Sequence, residues 1–487
     1  MGKAQAHIYL KPANEVLHKA LRVNNAITTT SPKHSIQGAQ PMLRVLLNKF
    51  PSFIGHAGSR ISRRYNEDTY SINLLKLPAT GAEMNCLKNK NIDNKEEVWH
   101  NELPLKKNIL NLSVFDGHGG DRVSKLLASE LHNRIIDTYP SKAAFFALLK
   151  QYKDNVGGEY WDRIYEKRDT YYKKFIASCN TKEEQVLFKS GKASESGPRM
   201  IFDKWGNIID KTSLLNENER LRLFMSFLKL DFTECCGYEQ EPSMSERTEA
   251  KFSSGSTASS VFITSYDEAD SFDESFFVNP QGLLKLVVTQ VGDAKIILCD
   301  KNGIAHSLTK VHHPTSLRES RRLGGNFQTD SFGDTRFLNN FSNTRSFGDR
   351  VGKKDGLSAE PDIYSYLIGS SMSLPHSEIT KLQFGGDECF ICLVTDGVSD
   401  LLTDQEIVDL ITSTVNNRGL KTASPQYVAD EVIKYIAAIA NRDADNSTCL
   451  VLRLPNWGNW PVIDRTGRSR EEKLMMSSQG GSERLNV

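Results

Sequence analysis

The sequence V-F-D-G-H-G-G, at residues 114–120, places an aspartate, a histidine and three glycines directly after an apolar stretch. Short apolar runs are typical of buried strands, and a single D-G after such a run is usually a turn. A charged group and an imidazole together at the end of a buried strand need a further reason. Other acidic residues stand at strand ends in this chain, and together they constrain both the fold and the chemistry.

The other acidic residues flank further apolar runs. Asp396 follows F-I-C-L-V-T, and Asp445 precedes T-C-L-V-L-R-L. Glu67 and Asp68 stand just before the β-prone run T-Y-S-I-N. If these runs are strands of packed sheets, their ends bring the carboxylates, with Asp116, to one rim. Carboxylates held so close repel each other unless cations lie between them, so the pattern predicts a metal site.

Apolar runs and amphipathic helix patterns alternate between about residues 60 and 455. Strands are predicted at 112–115, 283–291, 295–299, 390–395 and 448–454. Helices are predicted just after the opening motif, from Asp404, and from Pro425, where Ser424 is a good N-cap. Groups of strands and groups of helices predict an α+β fold, in which antiparallel sheets are covered by helices.

Four segments look different from this pattern. Residues 141–220 are rich in Lys, Glu, Asp and Tyr, which predicts a charged helical insertion, and residues 74–108 look like a loop-like insertion. The segment 456–487 has few apolar groups, so we expect it to be disordered. Residues 1–50 carry seven Lys or Arg and one acid, Glu15, with an amphipathic stretch E-V-L-H-K-A-L-R-V. This pattern is typical of a mitochondrial transit peptide, and the alternative is a disordered basic tail in a cytoplasmic protein.

Composition excludes some classes of function. The formal net charge is +1 over 487 residues, and no basic stripe stands out, so nucleic acid is not an expected partner. No run of about eighteen apolar residues occurs, so no transmembrane helix is expected. Eight cysteines without regular spacing favour a reducing compartment.

The residue types at the strand ends select the kind of metal. Oxygen ligands without cysteine or paired histidine favour Mg²⁺ or Mn²⁺ over zinc. Two such ions sharing Asp116 would make a bound water a nucleophile at neutral pH. Gly117 and Gly119 lack side chains, so backbone and substrate can come close to the ions. Each motif alone has an ordinary structural explanation, and it is their joint occurrence that favours the metal site.

Eight motifs in order cover about residues 60–455 and resemble the metal-dependent protein phosphatases of the type 2C family. They are R-R-Y-N-E-D (63–68), D-G-H-G-G (116–120), S-G-S-T-A (254–258), V-G-D-A-K (291–295), L-T-K-V-H-H-P (308–314), T-R-S-F-G-D (344–349), T-D-G-V-S-D (395–400) and D-N-S-T (445–448). The resemblance implies a four-layer α/β/β/α sandwich of two antiparallel sheets flanked by helices. It also implies two Mg²⁺ or Mn²⁺ ions at one end of the sandwich.

The resemblance assigns roles to single residues. Asp116 is the implied bridging ligand, and Gly117 gives its backbone carbonyl. Asp396 and Asp445 are implied ligands of the second ion. Glu67 and Asp68 are implied to act through metal-bound waters. Arg63 is implied to bind the phosphate, and His118 is the implied general acid. Asp293 and Asp400, together with Asp396, form an implied third ion position of weaker affinity.

The chain departs from the family pattern at three positions outside the implied ligands. Val311 replaces a common aspartate, Ser399 a usual tryptophan and Ala294 a usual serine. Since no implied ligand is lost, we expect an active enzyme. S-G-S-T-A is expected to start a core strand, and T-R-S-F-G-D is expected to form a wall beside the site.

The hypothesis is a protein serine/threonine phosphatase that uses direct attack of water without a phosphoenzyme. The sequence has no C-x5-R loop, and D-A-D at 443–445 precedes a strand, so neither usual nucleophile motif is present. The expected partners are phosphorylated proteins, and the chain is expected to be monomeric. Substrate selectivity is expected in residues 74–108 and 141–250. The alternatives are a catalytically silent member that binds phosphoproteins and a phosphatase of small molecules.

Overall fold

The computed structural model describes residues 7–10, 43–78, 106–177, 201–202, 208–209, 214–239, 252–267, 270, 273–324, 327–329 and 335–482. In chain order the strands are β1 (His7–Leu10), β2 (Leu43–Leu46), β3 (Ile54–Ser59), β4 (Thr69–Pro78), β5 (Lys106–Phe115), β6 (Gly117–His118), β7 (Ile201–Phe202), β8 (Ile208–Ile209), β9 (Gly255–Ser256), β10 (Ala258–Ser265), β11 (Leu283–Val291), β12 (Lys295–Cys299), β13 (Ala305–Ser307), β14 (Phe327–Thr329), β15 (Thr335–Phe337), β16 (Phe347–Gly348), β17 (Asp362–Gly369), β18 (Phe390–Val394) and β19 (Ser447–Arg453).

Three helices begin where the sequence predicts them, just after the opening motif, at Asp404 and at Pro425. The α-helices are Arg122–Asp137, Lys142–Gln151, Glu159–Glu166, Arg168–Tyr172, Glu217–Leu230, Leu317–Leu323, Asp396–Ser399, Asp404–Arg418, Pro425–Ile439 and Gly467–Ser482. Short π-helical turns cover Tyr152–Val156, Lys173–Ala177 and Asp231–Cys235, and 3₁₀ turns cover Leu47–Lys49, Phe276–Val278, Arg350–Asp355, Ser371–Ser373 and His376–Lys381. The predicted N-cap is confirmed, because Ser424 Oγ accepts a hydrogen bond from the Tyr427 amide.

Two antiparallel five-stranded sheets form the centre of the fold. Their strand orders are β17-β11-β10-β5-β4 and β13-β12-β18-β19-β3. Apolar side chains from both sheets meet in one interior cluster, which includes Leu112 of β5, Ile296 of β12 and Leu393 of β18. Because side chains alternate along a strand, each sheet has a second face that also needs cover.

Helices cover the two outer faces. The Arg122–Asp137 and Glu217–Leu230 helices pack on the first sheet, with Phe115 and Phe262 in the shared cluster. The Asp404–Arg418 and Pro425–Ile439 helices pack on the second sheet. The layers are therefore α/β/β/α, and the predicted fold class is confirmed. Burial on both faces explains why strands such as F-I-C-L-V lack a polar alternation.

A third, small sheet has the order β16-β9-β6. It pairs His118 with Gly255, and Gly255 with Gly348. Segments that are far apart in sequence, D-G-H-G-G, S-G-S-T-A and T-R-S-F-G-D, are thereby joined beside the ends of the large sheets. The expectation that S-G-S-T-A starts a core strand agrees with β9 and β10.

The two insertions differ in part from the expectations. Strands β4 and β5 extend into the segment predicted as a loop-like insertion at 74–108, and residues 79–105 lie outside the described residues. The segment 141–220 is helical over 142–177, as predicted. It also contains the paired strands β7 and β8, which the composition did not indicate.

The segment after residue 455 was expected to be disordered, and the structure contradicts this. Trp457 and Trp460 are 4% exposed, and both rings contact Phe390 edge-on. Gly467–Ser482 forms a helix, where Lys473 binds Glu406 at 2.7 Å. The prediction failed because two tryptophans supply large apolar areas that a count of apolar residues undervalues. Residues 483–487 lie outside the described residues.

The basic N-terminal segment is described only in part. Strand β1 pairs with β2, and Leu47 is fully buried in the interior cluster between the large sheets. The predicted amphipathic stretch at residues 15–23 lies outside the described residues. Over the described parts of the chain, no helix has both the length and the apolar character needed to span a bilayer.

Substitution of Trp457 tests whether the C-terminal segment belongs to the folded domain. Trp457→Ala should lower the free energy of unfolding by roughly 3–5 kcal/mol, because it removes a buried ring from between Phe390 and Trp460. Urea unfolding measures this. The control is Val462→Ala, a change at a side chain that is 83% exposed in the same segment. Equal unfolding midpoints for Trp457→Ala and the unchanged chain would contradict the packing.

Candidate metal and phosphate site

An open cleft lies where the strands of both large sheets end. It is lined by Arg63, Arg64, Tyr65, Glu67, Asp116, Gly117, His118, Gly119, Thr257, Asp293, Ser342, Asn343, Asp396 and Asp445. Asp116 directly follows β5, and Asp396 follows β18 after one residue. The structure thus brings most of the sequence-predicted site residues together. Asp68 and Asp400 are the two that do not line this cleft.

Three aspartates form the centre of the cleft, and we call Asp116, Asp293 and Asp396 the acidic triad. One carboxylate oxygen from each lies within 4.8 Å of the other two. Burial raises the pKa of Asp396 to about 8, with a further contribution from Asp293. Burial and the neighbouring Asp396 raise the pKa of Asp116 well above its ordinary value. Without a cation, the acidic triad therefore retains protons that ordinary aspartates would lose.

Asp68 does not line the cleft and is 7% exposed. Its Oδ2 atom accepts hydrogen bonds of 2.9 Å from the hydroxyls of Thr395 and Thr448. These threonines flank Asp396 and Asp445 in sequence, so Asp68 ties together the two strands that carry them. Burial raises the pKa of Asp68 to about 6, although the threonine bonds lower it. Its Oδ1 atom is buried, and no described residue hydrogen-bonds to it.

Asp400 lies one helical turn after Asp396, and its amide donates to the Asp396 carbonyl at 2.8 Å. It lines a neighbouring cleft together with Lys295 and Lys473. Burial and the charge of Asp293 raise the pKa of Asp400. Asp400 is therefore electrostatically coupled to the acidic triad while its side chain faces a different opening.

The loop at residues 60–66 brings Arg63 and Glu67 to the rim. Arg63 Nη2 donates to Asp445 Oδ2 at 2.8 Å. Glu67 Oε1 accepts from the Gly120 amide at 2.7 Å. A Cβ on Gly117 would lie 2.4 Å from the Glu67 carbonyl oxygen, so only glycine allows this close approach of the two segments.

His118 has a partner that the sequence reasoning did not name. Its Nε2 atom lies 2.7 Å from Asp349 Oδ2, and Asp349 is almost fully buried. Burial alone would lower the pKa of His118, but the Asp349 carboxylate outweighs it and raises the pKa. A Cβ on Gly255 would come within 2.3 Å of both interacting groups, so the small sheet requires glycine there.

The donor set of the cleft fits hard divalent cations. Asp116 Oδ2, Asp293 Oδ1 and Asp396 Oδ1 are buried, and none has a hydrogen-bond partner among the described residues. Buried carboxylate oxygens without partners are costly unless they are protonated or bind a cation. Because the ligand atoms are all oxygen, Mg²⁺ or Mn²⁺ fits better than zinc.

Some residues of the site were missed in the sequence reasoning. Asp349 stands in T-R-S-F-G-D, which was expected only to form a wall, and its role needs the small sheet to be visible. Asn446 is 4% exposed and binds the 60–66 loop through its side chain. Thr257 donates its amide to the Asp116 carbonyl at 2.8 Å. These residues were present in the quoted motifs, but their partners are distant in sequence.

Comparison with known proteins shows the family. A sequence model described as "Protein phosphatase 2C" matches residues 156–445, which is more than half of the chain. The chain belongs to the protein phosphatase 2C family. The resemblance found in the sequence motifs is thereby confirmed. The matched range begins after Arg63, Glu67 and Asp116, so the placement of those residues in a family site rests on the geometry described above.

Several curated relatives of the protein phosphatase 2C family are similar to this chain. Protein phosphatase 2C homolog 4 of Schizosaccharomyces pombe is 34% identical over 259 residues, which are 52% of this chain and 57% of that protein. Mitochondrial protein phosphatase 1K of Xenopus laevis is 30% identical over 178 residues, 36% of this chain and 41% of that protein. The chain thus spans about half the length of the curated relatives it matches.

Solved structures of low sequence identity are also similar. Serine-threonine phosphatase 2C from Toxoplasma gondii is 13% identical with a TM-score of 0.42, over 83% of this chain and 96% of that one. A sex determining protein of C. elegans is 17% identical with a TM-score of 0.43, over 86% of this chain and 67% of that one.

Removal of one carboxylate from the acidic triad should stabilise the metal-free protein. The pKa of Asp396 is about 8, against 3.8 for an unperturbed aspartate, so the folded state holds more protons between these values. Stability in chelator should therefore fall as pH rises from about 4 to about 8. In Asp396→Asn the decrease in the free energy of unfolding over this pH range should be smaller by a few kcal/mol, because one unit of pKa shift corresponds to about 1.4 kcal/mol. Urea unfolding in chelator across this pH range measures the difference.

Asp154→Asn is the matched control for that experiment, because Asp154 is an exposed carboxylate outside the cleft. It should leave the pH dependence unchanged. Addition of Mn²⁺ should raise the melting temperature of the unchanged chain much more than that of Asp396→Asn. The same pH dependence in Asp396→Asn and the unchanged chain would show that the acidic triad is not under electrostatic strain.

Proposed function

We propose that this protein is a serine/threonine phosphatase that hydrolyses phosphoserine and phosphothreonine with two Mg²⁺ or Mn²⁺ ions. The observation that carries the proposal is the acidic triad, whose buried oxygens have no hydrogen-bond partner among the described residues, in a cleft that also contains Arg63 and His118. Membership of the protein phosphatase 2C family agrees with this activity.

The residues that would hold the ions surround the acidic triad. Asp116 would be the ligand shared by both ions in this proposal, since one of its carboxylate oxygens lies within 4.8 Å of an oxygen of Asp293 and of Asp396. The further ligands in the proposal are the Gly117 carbonyl, Asp396 and Asp445, with Glu67 and Asp68 acting through water and Asp293 and Asp400 at a third, weaker position. When bound, the ions would lower the pKa of water and neutralise the charge of the phosphoryl group.

The remaining chemistry belongs to side chains of this chain. Arg63 lies at the rim and presents a fork of N–H donors suited to phosphate oxygens. Its ion pair with Asp445 fixes that guanidinium beside the cleft. Because Arg63 and the acidic triad line the same cleft, a phosphate bound between them would be oriented for direct attack by water. No phosphoenzyme is needed.

His118 would protonate the leaving oxygen of serine or threonine. Its Nε2 atom is bound to Asp349, which leaves Nδ1 as the nitrogen that gives the proton. Although burial lowers it, the Asp349 carboxylate raises the pKa of His118 above its ordinary value, which favours the protonated ring that a proton donor needs. Asp349 therefore acts as a positioning residue, which fixes the ring and its charge without touching the substrate.

Two alternatives use the same cleft. A silent phosphoprotein-binding member would lack a ligand, whereas Asp116, Asp396 and Asp445 are all present. A phosphatase of small molecules would share the chemistry and differ in substrate.

A mitochondrial location is proposed from the basic N-terminal segment, with the cytoplasm as the alternative. The protein is proposed to act as a monomer on phosphorylated proteins.

The first experiment measures phosphate release from a phosphothreonine peptide by the full chain. Release should require Mn²⁺ or Mg²⁺ and stop in chelator, and Asp116→Asn should lower kcat by roughly a thousandfold or more, because the bridging carboxylate is lost. Asp154→Asn should keep full activity. No release by folded protein with added Mn²⁺ would favour the silent binding member instead.

Substitution of Asp349 tests the role of His118. Asp349→Asn should lower kcat on a phosphothreonine peptide by roughly tenfold to a hundredfold, since an unprotonated alkoxide is a poor leaving group. The loss should be much smaller on p-nitrophenyl phosphate, whose leaving group needs no proton. Asp355→Asn, in the neighbouring Arg350–Asp355 turn, is the control. Equal losses on the two substrates would indicate structural damage rather than a lost proton donor.

A further inference from the structure

We propose that the loop at residues 60–66 selects phosphorylated segments that carry an acidic group close to the phosphorylated residue, and that Arg64 binds this group. The inference rests on the proposed phosphatase function and names the class of substrate. It also places selectivity in a short loop, in addition to the insertions at 74–108 and 141–250 that were expected to carry it.

The loop is held rigid by a buried residue. Asn446 Nδ2 donates to the Arg60 carbonyl at 3.2 Å and to the Tyr65 carbonyl at 2.9 Å. Its Oδ1 atom accepts from the Glu67 amide at 2.8 Å. A single side chain thus fixes the backbone at both ends of the loop. Side chains on a preorganised loop bind a substrate with a smaller loss of conformational entropy.

The arginines of this loop have different surroundings. Arg60 Nη1 donates to the Arg63 carbonyl at 2.7 Å, and Arg63 forms an ion pair with Asp445. Arg64 is exposed and lines the cleft. Within the described part of the chain, no carboxylate lies at ion-pair distance from Arg64. Since Asp445 is already neutralised by Arg63, Arg64 adds positive charge to this side of the rim.

The position of Arg64 defines where its ligand must lie. Arg63 is the proposed phosphate ligand, and the Cα atoms of successive residues are about 3.8 Å apart. A group bound by Arg64 therefore lies within a few residues of the phosphorylated side chain. A guanidinium binds carboxylates and phosphates through two parallel N–H donors, so an Asp, a Glu or a second phosphate would fit.

Tyr65 extends the same surface. It lines the cleft, and 71% of it is exposed, which is unusual for an aromatic side chain. Aromatic rings with a polar tip are common where a protein contacts a partner, because they bury much area with few rotatable bonds. Arg64 and Tyr65 together form a charged and apolar rim that a small phosphate ester would not use, whereas a peptide would.

The test compares three phosphothreonine peptides of otherwise identical sequence. One neighbouring position carries Asn, Asp or phosphoserine, which separates the carboxylate from the second phosphate. For the Mn²⁺-loaded full chain, kcat/KM should be roughly twofold to fivefold higher for Asp than for Asn, as for a solvent-exposed charge pair, and higher still for phosphoserine. The preference for the acidic peptides should appear mainly as a lower KM. It should become smaller as the salt concentration is raised from about 0.05 M to about 0.5 M, because salt screens the charge pair.

Substitutions assign the preference to one residue. Arg64→Gln should bring the Asp to Asn ratio close to one, and Arg64→Lys should restore part of it. Arg442→Gln is the matched control, because Arg442 is an exposed arginine on the adjoining loop that does not line the cleft. It should keep the full ratio. Melting temperatures and hydrolysis of p-nitrophenyl phosphate establish that each variant is folded.

The possible outcomes separate this inference from the proposed function. Hydrolysis of p-nitrophenyl phosphate with no release from any peptide would overturn the protein phosphatase proposal and this inference with it. Equal kcat/KM for the three peptides would overturn the inference and leave the phosphatase proposal intact. A preference that survives in Arg64→Gln would assign selectivity to another part of the rim. If Arg64→Gln fails to fold, Arg64→Met takes its place, and a full Asp to Asn ratio in Arg64→Met would contradict the inference.

Discussion

Carboxylates that repel one another are collected at one edge of the two sheets, and the surrounding structure holds them there. Asp116, Asp293 and Asp396 lie close together, and their buried oxygens find no donor in the described residues. Separating these groups would relieve the repulsion. Each aspartate stands at or near the end of a strand, so the groups cannot move apart unless the strands move. The strands are fixed by the apolar cluster between the sheets. The energy that assembles the site comes from burial of Leu, Ile and Val many residues away from it.

Polar contacts around the acidic triad connect elements that are far apart in sequence. Asp68 is bound by Thr395 and Thr448, and Asn446 binds the loop before β4. A buried ion pair between Lys353 and Asp231, at 2.8 Å, lies behind the small sheet. Asp231 also accepts from the Gly348 amide, next to Asp349. A buried charge left without its partner is costly, so these contacts keep Asp349 and His118 in a single arrangement.

The same cleft contains two kinds of surface. Its centre consists of carboxylates whose buried oxygens have no donor among the described residues, which suits a cation. Its rim consists of exposed groups, Arg64 and Tyr65, on a loop fixed by Asn446. In the proposed function the centre carries out the reaction, and Arg64 and Tyr65 at the rim, to which no step of the reaction is assigned, select the phosphorylated segment.

The sequence alone predicted five strands of the two large sheets, the helices after the opening motif, from Asp404 and from Pro425, and the acidic residues at strand ends, because strand ends, caps and acidic residues are local patterns. An apolar run begins or ends at each of the motifs D-G-H-G-G, T-D-G and D-N. Once these runs were interpreted as strands, the motifs were predicted to lie together at one edge of the sheets. Only the tertiary structure decided which partners these residues have. The pair of His118 with Asp349, the clamp of Asn446 and the packing of Trp457 on Phe390 join residues separated by tens or hundreds of positions. Such contacts depend on the folded backbone, and a single sequence contains no local signal for them.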